Sequence, residues 1–322
     1  MKPSKLAISF FLSASIVGIG MVAGAGAVAR AATVSAGPHG QYPSPCVAFQ
    51  HLADGDTLEV DANGGVPYYE GNCDIVNSNL KIVGVQGRPV LDARKTAVKR
   101  GTWLVDGHDI VIDNFEFRNA RPAVNPGSSG NAAGLWIRNG TDKNPDGGNI
   151  TVSHCYIHHN GDGILSSNAD LPPDKLGPHQ KTPPHVHQYY SKHPYIVFDH
   201  DDFYRNGDGT GQTHNIYIGF GGNLKFTMKH CISRDAYIGH DVKTRAPYND
   251  ILYNQISDQA GATSYLLDFP LGGTTNVIGN LLYRGTLTNP DGNRDLMIYR
   301  DVHDETISDP VYGSPHEDLH FT

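Results

Sequence analysis

Two short segments concentrate side chains that can move protons and neutralise anions. His214-Asn-Ile-Tyr-Ile-Gly219 carries an imidazole, a carboxamide and a phenol; Gly239-His-Asp-Val-Lys-Thr-Arg245 adds a second imidazole, an ammonium and a guanidinium. Both alternate apolar and polar residues, the period-two signature of a strand with one buried face. Laid side by side, they put His214 beside His240, Tyr217 beside Lys243, and the open space at Gly219 next to Arg245. Removing a proton next to a carboxylate, with loss of a leaving oxygen, needs a base, a positive group for the enolate-like charge, and an acid. Lys243, close to a second cation, is a candidate base. Tyr217 is a candidate acid, or acid and base together in a syn elimination. Arg245, or Asn215 with a histidine, can neutralise the carboxylate, and His214 or His240 can replace either proton carrier. The sequence leaves these roles open.

These segments belong to a repeating series. One phrase recurs as Ile110-Val-Ile-Asp-Asn114, Ile150-Thr-Val-Ser-His154, Ile196-Val-Phe-Asp-His200, Phe226-Thr-Met-Lys-His230, Ile251-Leu-Tyr-Asn254 and Val277-Ile-Gly-Asn280, with an Asn or His at each turn. Its separations are 40, 46, 30, 24 and 26 residues, so the last three coils are tight and the first two carry insertions. A second strand follows each phrase, aligned as Gly134–Arg138, Gly163–Ser167, Asn215–Gly219, Asp241–Arg245, Ser264–Asp268 and Asp295–Tyr299. Such repeats are too short for propeller blades and lack a helical period. They predict an all-β, single-domain right-handed parallel β-helix, a solenoid with an N-terminal cap at 37–107 and long loop insertions. In this alignment Asp268 pairs with Arg245 from the next rung. Trp136 and Tyr299 can stack on sugar rings, and Arg138 and Arg205 add cations to the candidate substrate-binding set. The inserts at 119–133 and 166–194 are expected to wall a groove.

Composition narrows the function classes. The chain has 322 residues, 39% hydrophobic and 18% charged, with 37 Gly and 20 Pro, which opposes both disorder and a helical bundle. Residues 1–31 read as a signal peptide, with Lys2 and Lys5 before an apolar run and Ala29-Arg30-Ala31 as the cleavage site; Val34-Ser35-Ala36 is a second option. Residues 32–322 form the catalytic β-helix, secreted or periplasmic, with no membrane contact after cleavage. The formal charge of −8 becomes −11 once Lys2, Lys5 and Arg30 are removed. A field of that sign repels nucleic acid and anionic lipid, so an anionic ligand needs a local basic cluster. An acidic polysaccharide in a long groove is the expected partner, and a monomer the expected state.

Four cysteines remain, and no CxxC pair suggests structural zinc. Cys46 and Cys73 share the N-terminal segment and are the expected disulfide. Cys155 and Cys231 are expected as buried small hydrophobes. Asp162 and Asp208 follow matching Asn-Gly turns and are possible calcium ligands at a rung spacing. Asn-Gly-Asp-Gly is also a favourable turn sequence, and no cofactor or metal is expected. His185-Val-His187, in the His-rich insert, has spacing too irregular for a clear metal site.

The coil phrases, Gly55-Asp-Thr-Leu-Glu-Val60, Gly84-Val-Gln-Gly-Arg-Pro-Val-Leu-Asp92 and the 214–219 and 239–245 pair together resemble the right-handed β-helix proteins of the pectate-lyase-like superfamily. Within it the chain resembles bacterial alginate and glucuronan lyases, some of which use a Tyr and a Lys or Arg at the cleft. The resemblance spans most of residues 45–310 and implies β-elimination on a uronic-acid polymer, with Tyr217, Lys243 and Arg245 as the matching positions. The Asp-Pro-His-Asp signature of mannuronan C5-epimerases is absent, as is a clear run of pectate-lyase calcium acids. The alternatives are a C5-epimerase using the same proton abstraction, a glycoside hydrolase using Asp241 with Asp268, and a protein that only binds the glycan.

Overall fold

A computed structural model describes residues 31–121, 132–138, 148–166, 194–219, 224–285, 292–293, 295–300 and 318–322. Residues 1–30 of the expected signal peptide at 1–31, most of the two inserts and the histidines at 179, 185, 187 and 193 lie outside them. The fold is a right-handed parallel β-helix. Three all-parallel sheets of 10, 7 and 8 strands run the length of the chain. The first sheet spans Thr33–Ala36 to Asp318–Phe321, the second Val90–Asp92 to Leu281–Arg284, and the third Cys73–Ile75 to Met297–Tyr299. Each complete coil gives one strand to each sheet and pairs with the coils above and below, and the terminal coils give fewer.

Alternating side chains explain why these segments are strands. Ile112, Val152, Phe198, Met228, Ile251 and Val277 stack rung on rung, nearly all fully buried. Near the N-terminus Trp103 packs edge-on against Phe49, Phe115 and Phe117, with each centroid 5.0 Å away. Burying one such aromatic contributes roughly 2–3 kcal/mol. The short helix Pro45–Phe49 buries Ala48 and Phe49, and the Cys46–Cys73 disulfide ties it to the third sheet. This is the cap expected at 37–107, but the solenoid starts earlier. Thr33–Ala36 already pairs with Thr57–Val60, so cleavage after Ala36 would strip a strand.

Parallel coils turn sharply at every corner, and the freed backbone N–H groups need partners. After the first sheet, Asn114, His154, His200, His230, Tyr253 and Gly279 occupy one corner column, with φ between 52° and 67°. Asn254 and Asn280 were expected in this column, yet they sit one residue further on. There the next column turns inward as Phe115, Cys155, Asp201, Cys231, Asn254 and Asn280. The backbone N–H of each residue donates to the side chain of the next: to Cys155 Sγ (3.4 Å), Asp201 Oδ1 (2.7 Å), Cys231 Sγ (3.4 Å), Asn254 Oδ1 (2.9 Å) and Asn280 Oδ1 (2.8 Å). Cys155 and Cys231 are buried, as expected, but they work as hydrogen-bond acceptors as well as apolar filling.

Two stability outcomes follow. Cys46→Ser with Cys73→Ser should lower unfolding free energy by about 3 kcal/mol in a urea titration, the cost of reopening that loop in the unfolded chain. Asn254→Ala strands the Cys231 N–H and the Met228 carbonyl, which now meets Asn254 Nδ2 at 2.9 Å. The same titration should show a loss of about 2–3 kcal/mol, typical of a buried unsatisfied pair.

Candidate active site

The outer face of the third sheet carries a cleft of about 370 Å³ lined by Arg100, Trp136, Asp162, Leu165, Ser166, Gly211, Gln212, His214, Tyr217, Lys243 and Arg245. Four expected residues of the cluster, His214, Tyr217, Lys243 and Arg245, therefore share one wall. The register is the reason. Leu165 pairs with Trp136 and with Tyr217, and Tyr217 pairs with Lys243, on successive rungs. Ile216, Ile218, Val242 and Thr244 point inward and are buried, which turns Tyr217 and Lys243 outward.

Contacts in the cluster are specific. Arg245 Nη1 donates to Tyr217 Oη, and its guanidinium carbon lies 5.6 Å from the phenol ring centroid. That bond leaves the phenol's own hydrogen available to another acceptor. His214 stacks on His240 at 4.7 Å and 11°, and on Tyr217 at 5.7 Å and 13°. The backbone N–H of His240 donates to His214 Nδ1 at 3.0 Å, and that of Tyr265 donates to His240 Nδ1 at 3.2 Å. Both imidazoles therefore carry their hydrogen on Nε2. Burial, reinforced by His240, Lys243 and Arg245, holds the His214 pKa well below the usual imidazole value. His214 is thus a neutral donor at the cleft wall. His240 lies behind it, 8% exposed, with Nε2 3.2 Å from Asp268 Oδ2.

Asp268 departs from the expected pairing. It stands opposite Lys243 in the ladder, where the sequence alignment set it against Arg245. The offset arises at Leu266 and Leu267, both fully buried, whose N–H groups both donate to Leu296 O at 3.1 Å, so the strand bulges. Asp268 is itself fully buried, 3.2 Å from Lys243 Nζ and 3.9 Å from Arg300 Nη2. It is a counter-charge beneath the wall, out of reach of a ligand in the groove.

The other expected residues separate. Asn215 is fully buried in an interior ladder: its Oδ1 accepts from Asn206 N at 2.9 Å, and its Nδ2 donates to Asp241 Oδ1 at 2.8 Å. Its expected place on the substrate face is corrected, since β pairing starts at Ile216 and Asn215 belongs to the corner. Trp136 lies at one end of the cleft between Arg138 (4.5 Å) and Arg100 (5.3 Å). Arg138 is also paired with Asp106 at 3.2 Å. Arg205 is exposed at the turn after the second sheet, and Tyr299 donates its hydroxyl to Gly273 O at 2.6 Å; neither lines the cleft.

Sequence reasoning missed Arg100 and the role of Asp162. Extending the third-strand alignment back to Gly101–Val105 exposes Arg100 as the residue just before that strand. Asp162 was weighed as a calcium ligand with Asp208, but the two do different things. Asp208 Oδ1 accepts from Thr210 N, Thr210 Oγ1 and Thr213 Oγ1, closing its own turn. Asp162 is fully buried under the cleft, with Oδ1 on the His214 N–H at 2.8 Å and no hydrogen-bond partner for Oδ2. Burial is the main cause that pushes its pKa up to about 8, with the Asp208 charge adding to it.

No family model matches the chain. No curated protein matches it. Among solved structures it is similar to the crystal structure of pectate lyase Pel9A, with TM-score 0.36 and 12% identity over 90% of this chain and 88% of that one.

The Asp162 pKa has a measurable consequence. The folded state keeps a proton that the unfolded chain releases near pH 4, so stability falls as pH rises from about 4 to about 8. Asp162→Asn keeps the His214 contact without that proton. Thermal unfolding across this range should show the variant gaining on wild type with rising pH, by at most about 1.4 kcal/mol per pH unit. A pH-independent difference would overturn the assignment.

Proposed function

We propose that the protein is a secreted or periplasmic polysaccharide lyase that cleaves a uronic-acid-containing polymer, alginate- or glucuronan-like, by β-elimination. The observation that carries this reading is the contiguous Tyr217–Arg245–Lys243–His214 wall in an open groove. The chain is acidic overall, so these cations mark where a polyanion is tolerated. No helix among the described residues is long and apolar enough to cross a membrane, and the disulfide suits an oxidising compartment.

The geometry favours one division of labour. Lys243 is ion-paired with Asp268, and acting as a base would cost it that pair. It is better suited, with Arg245 and Arg100, to neutralise the uronate carboxylate as the C5 proton leaves. Tyr217 is the proton carrier: with Arg245 donating to its oxygen, it passes its hydroxyl hydrogen to the leaving oxygen as it takes the C5 proton on the same face, so the phenol is restored. The neutral His214 contributes a hydrogen-bond donor. Trp136 offers a ring face for a sugar further along the groove. No step draws on a metal or cofactor.

The hydrolase alternative loses its carboxylate pair. Asp241 is fully buried, bonded to Asn215 and pushed well above the usual carboxylate range mainly by burial. It cannot flank a bond together with Asp268.

Incubation with alginate, glucuronan and pectate should yield an unsaturated uronate that absorbs in the far ultraviolet. Tyr217→Phe should lower that rate at least about 100-fold with unchanged thermal unfolding, and Lys243→Ala should lower it as much while also lowering the unfolding temperature, because it leaves the buried Asp268 without its nearest cation. Wild-type rates in both variants would remove the site assignment. Altered uronate epimer ratios without chain cleavage would make the enzyme an epimerase, and binding without either product would leave a glycan-binding surface.

A further inference from the structure

The corner between the first and second sheets, away from the third-sheet cleft, carries a second cluster of functional groups. His154, His200 and His230 occupy successive rungs in the left-handed region; the first two rings stack at 5.4 Å, and the His200 and His230 rings lie 4.8 Å apart, tilted by 38°. All three rings are about half exposed. Asp199 ends the strand just before His200, and its register partner Lys229 ends the strand just before His230. The stacking thus brings one carboxylate between two imidazoles. Asp199 Oδ1 lies 2.7 Å from His200 Nδ1 and 3.2 Å from His230 Nδ1, and the three donor atoms all fall within 4.8 Å of one another.

We propose that Asp199, His200 and His230 form a binding site for a divalent transition-metal ion of the zinc class. Imidazole nitrogen and carboxylate oxygen are the donors such ions prefer, and two histidines with one carboxylate leave a position for water or an external ligand. Metal–donor bonds of about 2.0–2.1 Å in a tetrahedral site separate the donor atoms by roughly 3.3 Å. The two spacings to Asp199 Oδ1 need to open by about 0.6 and 0.1 Å, and the two imidazole nitrogens, within 4.8 Å of each other, need to shift by at most about 1.5 Å. Lys229 Nζ holds the other Asp199 oxygen at 3.0 Å and so orients the carboxylate from outside the donor set. The three ligands come from adjacent rungs whose backbones are fixed by the sheet, so the site is largely formed before the ion arrives. Elsewhere, as at His108 Nδ1 and Asp109 Oδ2 (2.6 Å), a carboxylate meets a single imidazole.

Hydrogen bonding alone could explain the same contacts, and zinc titration separates the two readings. The chain itself indicates variants that preserve the corner: Asn114 holds the same column with φ 66°. His200→Asn and His230→Asn therefore keep a residue compatible with that backbone. Isothermal titration of the full mature protein with Zn2+ alone should show one class of sites weakened at least about tenfold in each variant. His108→Asn should bind as wild type does, which controls for the chain's other histidines. With Cu2+ as a second probe, paramagnetic resonance should show two coordinated nitrogens in wild type and one in each single variant. Wild type that binds no Zn2+, or a His200→Asn/His230→Asn double variant that binds with wild-type stoichiometry and affinity, would overturn the proposal. Circular dichroism confirms the fold in each case.

Discussion

Every coil must turn three corners, and each corner leaves backbone N–H groups inside a narrow apolar solenoid. Unpaired, each would cost more than a typical side-chain packing contact returns. The chain answers with side-chain acceptors, most of them one rung away, with Asn215 and Asp241 accepting from their own coil. Cys155, Asp201, Cys231, Asn254 and Asn280 serve one corner; Asn160, Asn206, Asn215 and Asp241 serve another. These ladders also work as register locks. A slip of one residue would break the side-chain acceptors and turn every strand face over.

The cleft inherits its geometry from those locks. Asn215, held by the interior ladder, is the residue just before Ile216–Ile218, and Asp241 is the residue just before Val242–Thr244. The Asn215–Asp241 contact therefore fixes the two rungs that present Tyr217 and Lys243. Asp162 does the same one rung earlier, where its carboxyl holds the His214 backbone. The groups that carry the proposed chemistry are thus set by polar contacts on the opposite side of the same backbone. A substitution in the ladder would misplace the cluster without touching it.

This division explains what could be read from the sequence. The outward alternation in 214–219 and 240–245 is clean, so the Tyr217–Lys243 pairing and the shared wall were legible. Trp136 and Leu165 joined the same column for the same reason. Asn215 was misread because period-two logic extends a strand through its first polar residue, and a corner residue obeys hydrogen-bond demand instead. Asp268 was misread because Leu266 and Leu267 are both inside, where strict alternation allows only one of two neighbours, so the rung is out of step with the alignment. Asn254 was misread because Asn suits both the left-handed corner and the inward ladder next to it. In each case the local pattern admitted two registers, and the choice came from contacts on neighbouring coils.

Asp268 shows how much such a register choice can matter. Opposite Arg245, it would have been one partner of a surface ion pair and contributed little. Opposite Lys243 and beneath His240, it is a fully buried charge whose cost is offset only by the cations around it. Its neighbours are then held in place without ligand: the Lys243 ammonium on one side and the His240 imidazole, with its hydrogen on Nε2, on the other, with His214 stacked on His240 and Tyr217 stacked on His214. The positive wall is therefore preorganised, and under the proposed function a uronate carboxylate entering the groove would meet charges that need no reorganisation. The same buried anion limits the excess of positive charge at the cleft. It lets an acidic protein keep a cationic wall folded with no anion bound there.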